Sequence, residues 1–183
     1  MTSVTFRPAT FADFPTLARL HAQSWQQTYR GLMRDDFLEN EVAHERLTVW
    51  EERLSQPDPN RLVQMAEQDG DCVGFVCAFF DHDPTWGSYI DNLHVRPDKK
   101  GAGIGVLLMR EAAVWFDSLR PDAPFYLWVL EGNHGARQFY ERLGAVCQER
   151  VVRSTPYSPA SAELRYCWPD TTPVMNYFRA GVV

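Results

Sequence analysis

The sequence predicts an α/β fold in one domain, and three observations predict it. Strand-like runs alternate with amphipathic helical stretches, one run is apolar on both faces, and a glycine-rich turn joins a Pro-terminated extended segment to a helix. The 183 residues fall within the usual size of one domain, and a 45% hydrophobic content can fill a single core. That domain is expected to span 1–168, with 169–183 a weakly patterned tail, frayed or docked on a partner.

Taken in order, residues 3 to 8 read as extended. In "DFPTLARLHAQSWQQTYR", Leu17, Leu20, Ser24, Trp25 and Thr28 recur at helical spacing, with Asp13 placed as N-cap and Pro15 in the first turn. A second helical stretch after Gly31 includes Phe37, Leu38 and Val42; a third, "AHERLTVWEERLSQ", puts Leu47, Trp50 and Leu54 on one face and stops before Pro57. "RLVQMAEQ" and "CVGFVCAFFD" flank "DGD", a hairpin signal, and "WGSYIDNLHV" is a further strand closed by Pro97. Ile104, Leu107, Leu108, Ala112 and Trp115 mark a helix ending near Pro121. "PFYLWVL" is apolar on both faces, as a central strand requires, and "NHGARQFYERLG" is a short helix with Gly144 as C-cap. "AVCQERVVRS" and "AELRYCWP" are closing strands joined by a Ser/Pro-rich loop around Tyr157.

Composition excludes several classes of function. The Met-Thr-Ser start carries no signal pattern, and no apolar run approaches the roughly 20 residues that span a bilayer, so a soluble, cytoplasmic protein without a membrane partner is expected. A net charge of -6 opposes nucleic-acid binding, which needs a basic footprint, and favours a cationic substrate. Cys72, Cys77, Cys147 and Cys167 lack metal-ligand or CxxC spacing, which predicts reduced core thiols, no metal site and no cysteine nucleophile.

The stretch "VRPDKKGAGIGVLLMREAAVWF" carries the chemistry. Gly101, Gly103 and Gly105 lie where a strand turns into a helix, so they form either a site where unpaired backbone N–H groups and the positive helix end converge on an anion, or a turn that is only structural. Arg96, Lys99 and Lys100 add local positive charge. GxxxxGK[ST] is absent, and Val106 stands where the dinucleotide fingerprint needs its third glycine, so neither familiar nucleotide motif is met.

"LHVRPDKKGAGIG" resembles the [RQ]xxGxG signature of the GCN5-related N-acetyltransferases, the GNAT family, with Lys100 in place of Arg or Gln. "LWVLEGNHGARQFYERLGA" is similar to the family's second block, NxxAxxFYxxxG, with Asn133, Ala136, Phe139, Tyr140 and Gly144 in register and Ala145 where Phe is common. The element order agrees along essentially the whole chain. The resemblance implies a mixed, mostly antiparallel, twisted sheet with helices on both faces. It further implies acetyl-CoA as acyl donor, a primary amine of a small molecule as acceptor, and direct transfer. Acetylation of a protein N-terminus or lysine is the alternative within that chemistry, and a non-catalytic acyl-CoA-binding module the alternative outside it. A homodimer is compatible with the family.

Carried onto this sequence, the resemblance puts the pyrophosphate on Lys100, Gly101, Ala102, Gly103, Ile104 and Gly105. The pantetheine arm lies along Leu93, His94 and Val95, with Asn133 and Arg137 bordering its slot. Tyr140 matches the tyrosine that protonates the leaving sulfur, and a backbone N–H near Val95 would polarise the thioester carbonyl. Family members often carry a Glu or His four or six residues before the strand's valine; here those positions are Asp91 and Tyr89. Strict alternation puts Tyr89, Asp91, Leu93 and Val95 on one face and His94 on the other, which makes Asp91 the first candidate base. Glu131, at the end of the next strand, is the second, and His134 reads as a surface residue. Trp25 and Tyr29, one helical turn apart, either wall the acceptor pocket or belong to the core. Trp86 and Tyr157 lie in loops that could border the same pocket.

Overall fold

The computed structural model describes residues 3 to 179. Its sheet has seven strands: β1 (Thr5–Pro8), β2 (Arg61–Gln68), β3 (Asp71–Asp83), β4 (Gly87–Val95), β5 (Phe125–Leu130), β6 (Val146–Thr155) and β7 (Ser158–Trp168). They lie in the order β1-β2-β3-β4-β5-β7-β6, antiparallel except for β4 beside β5, so the sheet is mixed and mostly antiparallel as expected. The helices are α1 (Phe14–Thr28), α2 (Asp35–Asn40), α3 (Val42–Ser55), α4 (Ile104–Leu119), α5 (His134–Arg142) and α6 (Thr172–Arg179).

Each face of the sheet is covered because the helices carry one apolar stripe apiece. α1 and α3 bury Leu17, Leu20 and Trp50 against Val63, Met65 and Phe75. On the other face α4 buries Ile104, Leu108, Ala112 and Phe116 against Val76, Ala78, Ile90 and Leu127. Fully burying each such aliphatic or aromatic side chain contributes about 1.5–3 kcal/mol, so the two layers fix β3 and β4 between them.

Only Ser88↔Phe125 and Tyr89↔Tyr126 pair across β4 and β5, whereas β5 pairs with β7 along its whole length. Beyond Tyr89 the two parallel strands diverge, leaving one edge of β4 free of a partner strand. This divergence positions the site.

Several local expectations change. Asp13 holds the expected N-cap position of α1, but its side chain makes no capping hydrogen bond there; its carboxylate accepts from Thr10 N (2.7 Å) and holds Arg7 at 2.8 Å. Val42 begins α3 rather than continuing the second helix. The expected loop around Tyr157 is a tight hairpin turn, with Thr155 paired to Ser158. Cys147 is exposed rather than a core thiol, and Cys72 and Cys167 are half-buried. The tail contains α6, which packs on α4 of this chain and buries Val174 completely. No helix among the described residues is long and apolar enough to cross a membrane.

Candidate active site

A cleft of about 870 Å³ runs from the glycine turn, along β4, to the space between α1 and β5. That is the size range of small-molecule sites, roughly 300–1,000 Å³. The end at the glycine turn is built mainly from backbone. Pro97 opens a 3₁₀ turn whose amides at Lys99 and Lys100 bond back to Arg96 O (2.9 Å) and Pro97 O (3.3 Å), which turns the chain sharply into α4. Gly101 (φ +84°) and Gly103 (φ +79°) then adopt the left-handed conformation that glycine reaches without steric cost. A Cβ on Gly101 would meet no protein atom within 4 Å, so the space beside it is open to a ligand. The amides of Ile104 and Gly105 open α4 and have no carbonyl one turn earlier within it.

These features fit a pyrophosphate, and Lys99, Lys100, Gly101, Ala102, Gly103, Ile104 and Gly105 all line the cleft. Arg96 does not join them, because Asp98 (2.7 Å) and Asp71 (3.6 Å) hold its guanidinium outside.

Where the slot deepens, β4 departs from strict alternation. Ile90 pairs with Ala78 and Asn92 with Cys77, so Asp91 is an extra, bulged residue. Beyond the bulge alternation holds, with Leu93 and Val95 on the α4 side and Asn92 and His94 turned toward α1 and α3; before it the faces change over, so Ile90 rather than Tyr89 joins Leu93 and Val95. His94 lies on the face opposite Leu93 and Val95, as alternation requires, and still lines the cleft, with Nδ1 2.9 Å from Ser24 Oγ. Its ring lies 4.3 Å from that of His21, whose Nδ1 accepts from Trp50 Nε1 at 3.1 Å. The His21 proton consequently sits on Nε2, which has no hydrogen-bond partner among the described residues. Burial, reinforced by Arg46, lowers the His94 pKa to about 3, and burial beside His94 pushes His21 well below its ordinary value; both imidazoles are neutral.

Asp91 lines the cleft too, but its carboxylate is anchored: Arg53 Nη1 reaches Oδ2 at 2.6 Å and also donates to Asn92 Oδ1 at 2.9 Å. Trp25 and Tyr29 face the same space, so their rings wall the cleft rather than only the core. Arg46 stacks on Trp25, 4.4 Å from its centroid, and the Tyr29 hydroxyl hydrogen-bonds to the Asn133 side chain. Asn133 Oδ1 in turn caps α5 through Ala136 N at 3.2 Å, which ties α1 to α5 across the slot.

Tyr140 lies on the α5 side of the cleft, and burial beside Tyr29 pushes its phenol pKa well above the ordinary value, so the proton stays on oxygen. The other second-block candidates are elsewhere. Glu131 is clamped by Arg150 at 2.9 and 2.8 Å, outside the cleft lining, and that hydrogen bonding holds its pKa down. Arg137 also stays out of the cleft, donating to Glu131 O at 3.0 Å. Trp86 stacks on Arg165 (4.6 Å), and Tyr157 stacks on Phe37 (4.6 Å), behind rather than within the cleft wall.

The structure adds lining residues that the sequence did not single out: Ser24 and Thr28 from α1, Trp128 from β5, Arg142 from α5 and Tyr177 from α6. Alternation along β5 could have indicated Trp128, since Tyr126 and Trp128 share a face; nothing in the sequence pattern points to Tyr177.

A slot between diverging parallel strands, a glycine turn suited to an anion at one end and a protonated phenol in the lining are features that an acyltransferase site needs. Residues 22–145 match the model of the acetyltransferase (GNAT) family. Over 144 residues the chain is 29% identical to a probable N-acetyltransferase of Mycobacterium tuberculosis, spanning 76% of this chain and 78% of that protein. The PaiA N-acetyltransferase of Thermoplasma acidophilum, solved in complex with coenzyme A, superposes with a TM-score of 0.70 at 19% identity, over 91% of this chain and 99% of that one. The yncA protein of Salmonella typhimurium, solved with its cofactor acetyl-CoA, gives a TM-score of 0.66 at 14% identity, over 91% and 94% of the two chains. The protein belongs to the GNAT family and is an acetyl-CoA-dependent N-acetyltransferase.

Proposed function

We propose that the protein transfers the acetyl group of acetyl-CoA directly to a primary amine of a small molecule. The observation that carries this reading is the shape of the acceptor end. Trp25 and Tyr29 wall it from α1, Trp128 from β5, and the hairpin tip closes behind Trp25, where Tyr157 stacks on Phe37 and its carbonyl accepts from Arg34 N at 2.9 Å. Such an enclosure suits a small acceptor better than a polypeptide loop, and aromatic walls beside the Asp91 carboxylate suit an amine.

In this reading the open edge of β4 holds the donor's arm by backbone pairing, and an N–H near Val95 polarises the carbonyl. A C–N bond forms and the C–S bond breaks. Tyr140 gives its proton to the leaving sulfur, and the amine proton leaves toward Asp91 through water, after which solvent reprotonates Tyr140. The neutral His94–Ser24 pair forms the floor beside that path. Arg53 holds Asp91 in place.

The test is thiol release from acetyl-CoA across a panel of small primary amines, with mass spectrometry of peptides under the same conditions. Turnover of a small amine with peptides unmodified is expected. Peptide acetylation without small-amine turnover would reassign the acceptor, and binding of acetyl-CoA with no thiol release for any acceptor would reduce the protein to a binding module.

A further inference from the structure

We propose that α6 is part of the donor site and that Tyr177 contacts the adenosine-diphosphate half of acetyl-CoA. The proposal rests on the donor reading above. It concerns a segment beyond residues 22–145, the part matched by the family model.

The placement of α6 is fixed at its start. Thr171 Oγ1 lies 3.1 Å from Asp117 Oδ1, near the end of α4, and Thr171 O accepts from Met175 N at 3.1 Å. Pro173 packs on Gly144, just past α5: a Cβ there would stand 2.6 Å from Pro173 Cβ, and Gly144 holds φ +86°. Val174 is fully buried in the α4-side core, where Met175 and Tyr177 also pack. The helix therefore begins against the far ends of α4 and α5. Tyr177 lies one turn beyond Pro173 and lines the same cleft as Gly105, Phe139 and Arg142.

That position selects which half of the donor it meets. The acetyl end must reach Tyr140, and the pyrophosphate must meet the amides that open α4, so the nucleotide leaves the slot on the side that carries the glycine turn, Arg142 and Tyr177. A half-buried aromatic ring in the cleft lining can contact a purine, and base–aromatic stacking contributes about 1–3 kcal/mol per base. Tyr177 would thus act on donor affinity and not on the chemical step.

The experiment compares two donors in the full chain: acetyl-CoA, and S-acetylpantetheine, which ends before the nucleotide. Tyr177→Ala is expected to raise the KM for acetyl-CoA about tenfold, leave its kcat within about twofold, and leave the KM for S-acetylpantetheine unchanged. Tyr177→Phe keeps the ring and is expected to keep the parent KM. An unchanged KM for acetyl-CoA, or equal rises for both donors, would overturn the proposal and make α6 a prop for α4. A calorimetric titration of the parent chain separates the two readings. If the parent does not bind acetyl-CoA at all, the donor reading falls and this proposal with it; if the parent binds and Tyr177→Ala binds equally well, only this proposal falls.

Discussion

The two ends of the cleft are built by different means. The donor end is mainly backbone: two glycines at positive φ, the first amides of a helix, and a strand edge left open where β4 leaves β5. The acceptor end is mostly side chain, contributed by α1, β4 and β5 and held by Arg53 on Asp91 and Arg46 on Trp25, both from α3, and by Ser24 on His94. A backbone site binds the part of the substrate that never varies, since its donors cannot be changed by substitution. A side-chain site can be retuned one residue at a time, so acceptor choice is expected to reside there.

Substitutions can break this division. The largest effect is expected where the halves meet. Tyr140→Phe removes only a hydroxyl, yet kcat should fall by roughly 100-fold to 10,000-fold with little change in the KM for acetyl-CoA or in melting temperature. Steady-state thiol release measures all but the last of these. An unaltered kcat would remove the phenol from the chemistry and leave it a wall.

Asp91→Asn comes next, with a loss of about 100-fold in kcat and an unchanged KM for acetyl-CoA. The same change removes the charge that pairs with Arg53 and leaves it the Asn92 side-chain carbonyl oxygen, so stability should fall by about 1–3 kcal/mol. Arg53→Met separates the two effects, because it breaks the same ion pair but keeps the carboxylate. If both variants lose kcat alike, Asp91 acts as an anchor for β4 rather than on the amine proton.

The division between backbone and side chain also explains what the sequence made legible. The glycine turn, β4, α4 and the second block are local patterns, and short-range pattern suffices to find an element made of consecutive residues. Seven strands and both helix layers were readable for that reason. The bulge at Asp91 was not, because it is a property of the register between β3 and β4, and no period-two count along β4 alone contains it. The same missing register assigned Asp91 to the face of Leu93 and Val95, whereas it shares Arg53 with Asn92 on the α3 side. Glu131 reads as a candidate base and Arg137 as a border of the slot by position in the second block, but Arg150, from β6, claims the Glu131 carboxylate, and the Glu131 carbonyl takes Arg137. Tyr177 arrives only because α6 folds back over α4, a tertiary event.

The acceptor floor should also be the acid-sensitive part. His94 is neutral in the folded state with a pKa of about 3, whereas an unfolded histidine takes up a proton near pH 6.5. Above that value the group adds no pH dependence. As pH falls from 6.5 toward 3 the unfolded state binds the extra proton and stability declines, by about 2 kcal/mol at pH 5. Urea unfolding at pH 7.5 and pH 5.0 reads this difference directly. His94→Gln should shrink it, and His21, neutral for the same reason, should retain a share. An unchanged difference in His94→Gln would mean that the floor is hydrated and that His94 titrates normally.

The smallest expected effect is the most direct test of the donor end. Gly105 lies in α4 at an ordinary helical φ, and a Cβ there would make only ordinary contacts, 3.5 Å from Phe139 Cζ and 3.6 Å from Val95 Cγ2. By helix propensity Gly105→Ala should hold stability or raise it by up to about 1 kcal/mol. The same methyl, however, occupies space in the cleft where the donor must approach the first amides of α4. Acetyl-CoA affinity should therefore weaken about tenfold, close to 1.4 kcal/mol, while the protein melts no earlier. Two changes of opposite sign from one methyl group cannot arise from general damage to the fold. If affinity and stability rose together, the donor would not pass over Gly105, and the open edge of β4 would have to hold it without the helix.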